Sequence, residues 1–277
     1  MDFITVVYAD EIYMLRSQGR SIELYARDIP ENIFVVVNDE PEVANDIDKL
    51  WWGSQHNKVI ILTRDQISCP PYGTGWDSQQ LCKLVTAGIS KQSHVLIFDA
   101  KTWFVRNFNS SEIFPDPYRE KINVSFQPIQ PAFKTGWDFL VKEFNIEDPD
   151  MQPGPAGVPY IMKPSAVREL FAYIENKHNI SFREWYRKYS LHPTLITEFL
   201  LYASWIYSSE GYGQYTGEQP WDPVNIAKNE GRKFKSKLEE MQRDVTLTAS
   251  IHAGAKISKK NNDAWNKFLL EKNLRTE

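Results

Sequence analysis

The sequence predicts an α/β protein with a mostly parallel central sheet, helices on its faces and a more helical C-terminal half. Three observations carry this. The short apolar runs Phe3–Tyr8, Ile33–Val37, Val59–Leu62 and Val95–Phe98 are nearly continuous, as strands buried on both faces require. Helical periodicity fills segments between them, and such alternation is the mark of parallel crossover units. Beyond about residue 125, Gln127–Pro131 and Gln152–Pro159 punctuate the chain and helical segments become more frequent.

In order, Phe3–Tyr8 is a first strand, and Glu11–Ala26, with Ile12, Leu15, Ile22 and Tyr25 on one stripe, is an amphipathic helix stopped at Asp28-Ile29-Pro30. Ile33–Val37 and Val59–Leu62 are the second and third strands. Trp76–Ile89 is a helix, and Val95–Phe98 a fourth strand running into Asp99-Ala100-Lys101. A soft boundary near residue 125 divides residues 1–125 from 126–277. In the second part helices are expected over Ser165–Asn176, Ser181–Tyr189, Thr194–Tyr207, Asn225–Gln242 and Asn261–Lys272. A surface loop is expected over Glu210–Pro223, and a late strand over Val245–Ile251 ending at His252. In open α/β sheets ligands lie beyond the carboxyl ends of the strands. Tyr8–Glu11, Asn38–Glu40, Arg64–Asp65 and Asp99–Lys101 should therefore rim one crevice.

Composition narrows the function. Of 277 residues, 32 Lys and Arg stand against 36 Asp and Glu, a net charge of -4, and no basic block offers a phosphate backbone a track. Nucleic acid is not an expected partner. No apolar run approaches the roughly 20 residues needed to span a bilayer, and the acidic N-terminus has no secretory pattern, so a cytoplasmic protein without a membrane span is expected. The two cysteines, Cys69 and Cys82, form no CxxC and lie near no histidine cluster, so they read as ordinary thiols.

The run from Trp76 through Gln79, Gln80 and Lys83 to Leu84, followed by Val95-Leu-Ile-Phe-Asp99-Ala-Lys101-Thr-Trp-Phe-Val105, resembles the core of GT-A glycosyltransferases. In that core a helix with a basic residue precedes a central strand ending in Asp-x-Asp. The resemblance extends to Val6-Val7-Tyr8-Ala9-Asp10-Glu11, to Leu15–Ile22 and to Ser250-Ile251-His252. It is closest to a group of bacterial and viral glycosyltransferase-like proteins of unknown function. It implies a GT-A-like (Rossmann-like) sheet, with a nucleotide-sugar-binding half over residues 1–125 and an acceptor-binding half over 126–277. The activity it implies is transfer of a sugar from a nucleoside-diphosphate sugar to a hydroxyl of a glycan or small acceptor, by an inverting mechanism if Glu198 is the base.

The resemblance also implies site residues, and each has a plainer reading. Metal-dependent members hold Mg²⁺ or Mn²⁺ with paired carboxylates. Here the second carboxylate is replaced in Asp99-Ala100-Lys101, which suggests metal-independent chemistry with the Lys101 ammonium on the phosphates. A solvated lysine in a degenerate motif is the alternative. If a metal is used, Asp99 and His252 are its expected ligands. Lys83 is expected at the nucleotide or its phosphates, or else is a helix-surface lysine. Asp10 and Asp39 are expected at base and ribose, or else are turn or capping carboxylates. Glu198, sharing a helix face with Tyr202, is the expected base toward the acceptor, or else a first-turn Glu favoured by the helix dipole. His252 is expected on phosphate or metal, or else is a packing residue. Trp137, Trp205, Tyr212, Tyr215 and Trp221 are candidates for an acceptor platform or for core and loop anchors, and Pro153–Gly157 for a sugar-contacting loop or a connector. Two further functions fit the same residues: a noncatalytic nucleotide-sugar or carbohydrate-binding module with a broken Asp-x-Asp, and a nucleotidyltransferase. No Gly-rich phosphate loop follows the first strand to support the latter.

Overall fold

The computed structural model describes residues 1–109, 111, 126–128, 131–147, 151–153, 158–191, 194–210, 222–226, 234–243, 246–251 and 259–274. The first strand, β1 (Asp2–Val7), runs through a short 3-10 turn at Ala9–Glu11 into α1 (Ile12–Tyr25). Next come β2 (Ile33–Val37), 3-10 segments at Pro41–Asp46 and Lys49–Lys58, β3 (Val59–Thr63), α2 (Gly75–Ile89) and β4 (Val95–Asp99). A two-residue turn then leads to β5 (Thr102–Phe104). Beyond it lie β6 (Phe126–Pro128), α3 (Lys134–Phe144), β7 (Met151–Pro153), β8 (Tyr160–Met162), α4 (Pro164–His178), α5 (Phe182–Tyr189) and α6 (Glu198–Glu210). The described chain closes with β9 (Asp222–Ile226), α7 (Phe234–Met241), β10 (Thr246–Ile251) and α8 (Lys259–Glu271).

The central sheet has the order β3-β2-β1-β4-β8. The first four strands are parallel, and β8 adds antiparallel to β4 through Ile97 opposite Tyr160. Side chains alternate between two cores, as the two-residue strand period demands. Ile4, Val6, Val36 and Ile97 face a cluster with α2, α3, α4, α5 and α6, whereas Phe3, Val7, Val35 and Phe98 face a cluster with α1 and Trp52. This two-sided burial explains why the strands read as unbroken apolar runs. A second sheet, β5-β10-β9, holds a third cluster with α1, α7 and α8 around Met14, Trp103, Val224 and Trp265.

Three expectations give way here. The charged helix expected from Asn225 begins at Phe234, because Asp222–Ile226 is instead the strand β9. The loop reading of Glu210–Pro223 fails at Asp222 and Pro223 for the same reason, and 211–221 lies outside the described residues. Proline is tolerated in β9 because that strand is the edge of its sheet. The helix expected from Thr194 begins at Glu198. Leu195 has φ 50, incompatible with a helix, and Thr197 starts the first turn by accepting the Leu200 amide on Oγ1 at 3.2 Å.

Candidate functional site at the carboxyl ends of the strands

The helix α2 has no solvent face over most of its length. From Asp77 to Ala87 every residue is buried, since the helix lies between the sheet and the helices α4 and α6. Polar side chains within that stretch must find partners inside the protein or pay a large desolvation cost. Lys83 is 5% exposed, and its ammonium donates to Asp99 Oδ1 at 2.9 Å and to Glu198 Oε1 at 3.1 Å. Its Nζ also lies 5.2 Å from the ring centre of Phe199. Asp99 receives a second cation on its other oxygen, Lys101 Nζ at 3.7 Å from Oδ2, and Gln79 Nε2 donates to Oδ1 at 3.3 Å. The two lysines and two carboxylates sum to zero charge, the condition under which such a group survives burial.

These contacts set the titration of the central pair. Burial alone would favour neutral Lys83, but Asp99 and Glu198 outweigh it and hold its pKa above the ordinary lysine value. Burial likewise works against the Asp99 carboxylate, and the Lys83 and Lys101 ammoniums overcome it, so the Asp99 pKa lies below the usual range. At the rim Glu11 shows the reverse. Its burial raises its pKa and only partly yields to Lys101, while Asp99 adds to the rise. Lys101 remains the accessible cation of the cluster, with its side chain 23% exposed.

The ends of β1 and β2 join this group through α2. Tyr8 donates its hydroxyl to Gly75 O, Asn38 Nδ2 donates to Tyr8 OH at 2.8 Å and to Gly75 O at 2.9 Å, and Ser78 Oγ donates to Asn38 Oδ1 at 3.1 Å. A Cβ at Gly75 would sit 2.8 Å from the Tyr8 ring, so only glycine admits this approach. The N-terminus of α2 is closed by its own capping box, Thr74 with Asp77. Glu198 is fixed from α2 as well, because Gln80 Oε1 accepts its backbone amide at 3.2 Å.

The structure thus brings Lys83, Asp99, Lys101 and Glu198 together. Asp39 is two strands away at the end of β2, where Oδ2 accepts the Ala9 amide at 3.1 Å and Oδ1 its own neighbour Glu40 N at 3.0 Å. Those are the bonds of a turn carboxylate. Asp10 is exposed in the 3-10 turn after β1. The surface reading of Lys83 does not survive its burial, and Trp137 is a core side chain at 0% exposure rather than part of a platform. Trp205 packs partly buried against that core, between Phe144 and Tyr173. His252, Tyr212, Tyr215, Trp221 and most of the Pro153–Gly157 loop lie outside the described residues. Arg64 and Asp65 follow β3, three strand spacings from β4, or about 14 Å. Those two residues therefore stand apart from the cluster. Glu11 lies near enough to feel the charges of Lys101 and Asp99, and Tyr8 reaches Gln79 at 3.3 Å; the signal for both was their position just past the end of β1.

The Asp99-Ala100-Lys101 sequence suggests metal-independent chemistry, with Asp99 and His252 as ligands only if a metal is used. Among the described residues no three His, Cys, Asp or Glu side chains cluster as metal ligands, and both oxygens of Asp99 face ammonium groups. His252, the other expected ligand should a metal be used, lies outside the described residues.

The chain belongs to the Family of unknown function (DUF6492), whose profile matches residues 5–244. No protein of curated function matches the sequence. Among solved structures, the apo form of mouse xyloside xylosyltransferase 1 is similar over 93% of this chain and 99% of its own, with a TM-score of 0.51 at 11% identity. The galactosyltransferase LgtC with donor and acceptor sugar analogs is similar over 100% and 97%, with a TM-score of 0.48 at 9% identity. The bifunctional WbbM protein is similar over 98% of this chain but 49% of its own, with a TM-score of 0.46 at 14% identity. The first of these similarities establishes the fold: a GT-A-like α/β sheet flanked by helices, as the sequence resemblance implied. Among the described residues no helix is long and apolar enough to cross a membrane.

Proposed function

We propose that the protein is a glycosyltransferase that moves a sugar from a nucleoside-diphosphate sugar to a hydroxyl of a glycan or small acceptor. One observation carries this reading: a charge-balanced cluster at the carboxyl end of the central strand in which Lys101 is the accessible cation, held beside Asp99. The xylosyltransferase name of a structure sharing the fold supports the same chemical class. In transfer, the bond from the anomeric carbon to the phosphate oxygen breaks, a bond to the acceptor oxygen forms, and the acceptor loses a proton. Negative charge grows on the leaving diphosphate, and a positioned ammonium stabilises it most where water is scarce. Lys101 has the exposure to reach it, while Lys83 is saturated by two carboxylates and acts by keeping Asp99 in place.

Glu198 enters in one of two roles, which one substitution separates. Glu198→Gln keeps an oxygen for Lys83 but cannot take a proton. If Glu198 is the acceptor base, kcat falls by about 100-fold or more, beyond any loss of melting temperature from the weakened contact with Lys83. If it serves only as the partner of Lys83, the melting temperature falls and most activity persists. The engagement of both Asp99 and Glu198 by Lys83 also supports the noncatalytic binding reading, for which ligand binding without turnover is the signature. The test of the main reading is a thermal-shift screen of nucleoside diphosphates and their sugars, with Mn²⁺ and with chelator. Stabilisation by a sugar nucleotide that survives chelation is expected. No stabilisation by any common sugar nucleotide would reject it.

A further inference from the structure

One face of α1 grips the chain between Asp99 and Phe104. Gln18, 1% exposed, donates its side-chain amide to Asp99 O at 2.9 Å and to Thr102 O at 3.1 Å, the two carbonyls that bracket the Ala100-Lys101 turn. Carbonyl oxygens only accept, so the amide nitrogen must face both, and Gln18 Oε1 is left buried without a partner. A buried unsatisfied oxygen is costly, so this side chain serves through its two donors and not through general polarity. One turn further on, Ser21 Oγ accepts the Phe104 amide at 3.1 Å while donating to Gln18 O at 2.7 Å, and one turn back Met14 O accepts Trp103 Nε1 at 3.3 Å. Positions 14, 18 and 21 follow helical spacing, so a single stripe of α1 holds the whole segment. The Leu15–Ile22 stretch, which the proposed chemistry does not otherwise use, supplies two of these three.

From this we infer that Gln18, seconded by Ser21, is a positioning residue that fixes the Asp99-Ala100-Lys101 turn and so aims the Lys101 ammonium at a ligand's diphosphate. The inference rests on the reading of Lys101 given above. The clamp acts on backbone carbonyls, so it sets where the Lys101 side chain starts without touching the ligand.

The experiment compares wild type, Gln18→Met, Lys101→Ala and the double variant, by local hydrogen exchange and by affinity for inorganic pyrophosphate as the probe. Gln18→Met keeps length and removes both donors. The expected result is exchange at least tenfold faster over residues 99–104 with α2 and α4 unchanged, a several-fold loss of pyrophosphate affinity in each single variant, and no further loss in the double variant. A merely structural role would speed exchange throughout and give additive losses. Where Lys101→Ala weakens binding but Gln18→Met alters neither affinity nor local exchange, the positioning role is overturned and the functional reading stands. Where Lys101→Ala leaves pyrophosphate affinity unchanged, the functional reading falls and exchange alone decides the clamp: confined acceleration upholds it, and none rejects it. Ser21→Ala, which removes the acceptor of the Phe104 amide at the far end of the segment together with the bond to Gln18 O, supplies the same exchange comparison if Gln18→Met does not fold.

Discussion

Each end of the central sheet carries an aspartate, fully buried at the amino end and half-buried at the carboxyl end, and the two are treated differently. At the amino end Asp2, 1% exposed, accepts from Asn32 N at 3.0 Å, Asn32 Nδ2 at 2.9 Å and Ser90 Oγ at 2.6 Å. Those donors are uncharged groups, and the arrangement ties β1 to neighbouring loops. At the carboxyl end Asp99 faces two ammonium groups, one of them at a loose 3.7 Å, and its side chain is 19% exposed. Neutral donors suffice to hold a buried carboxylate. Charged partners with one long contact and an opening to solvent leave a cation able to exchange partners, which is what a binding site needs.

The sharpest way to break this contrast is to remove the central cation. Lys83→Met leaves Asp99 and Glu198 buried without it, and breaking a buried pair in this way costs about 3–5 kcal/mol. Denaturant unfolding should show that loss, partly recovered in a Lys83→Met, Glu198→Leu double variant. Asp2→Ala comes next, at about 2 kcal/mol for orphaned donors, with no change in ligand-induced stabilisation. An Asp2 variant that abolished ligand response would erase the distinction between the ends.

Acidity gives a finer comparison. Asp99 has a folded pKa below its unfolded value, so its contribution is present above the unfolded value and fades as pH falls through the folded one. Glu11 has a folded pKa above its unfolded value, so stability is fully present below the unfolded value and declines as pH rises through the folded one. Glu11→Gln should therefore raise the unfolding midpoint at pH 7, with the gain vanishing toward about pH 4, the usual glutamate value. An equal gain at both pH values would show that Glu11 does not titrate as described. The smallest stability effect belongs to Lys101→Ala, within about 1 kcal/mol for a partly exposed pair, although its effect on ligand binding should be large.

The contrast between the two parts of the chain also explains what the sequence disclosed. Parallel strands buried on both faces write themselves as Ile33–Val37 and Val95–Phe98, and α2 announces itself as the long helical stretch from Trp76 to Ile89. The three-residue β8 is too short for any period, and it is recognisable only once β4 is in place to pair with it. In β9 a proline masked the strand, and charges beginning near α7 pulled the helical reading too far forward. Gln79, Gln80 and Lys83, three or four residues apart, share one face of α2. The burial of Lys83 was hidden, because a local pattern does not tell which helices from residues 164–210 will cover that face. The missing clue was the interleaving of Gln79, Gln80 and Lys83 with Leu81, Cys82 and Leu84, a helix without a solvent side.

The most direct test is a crystal structure with a bound nucleoside-diphosphate sugar. The diphosphate should lie beyond the ends of β1 and β4, within hydrogen-bond distance of Lys101 Nζ, with Lys83 still paired to Asp99 and Glu198. A diphosphate bound elsewhere, with Lys101 still turned to Asp99, would contradict the account.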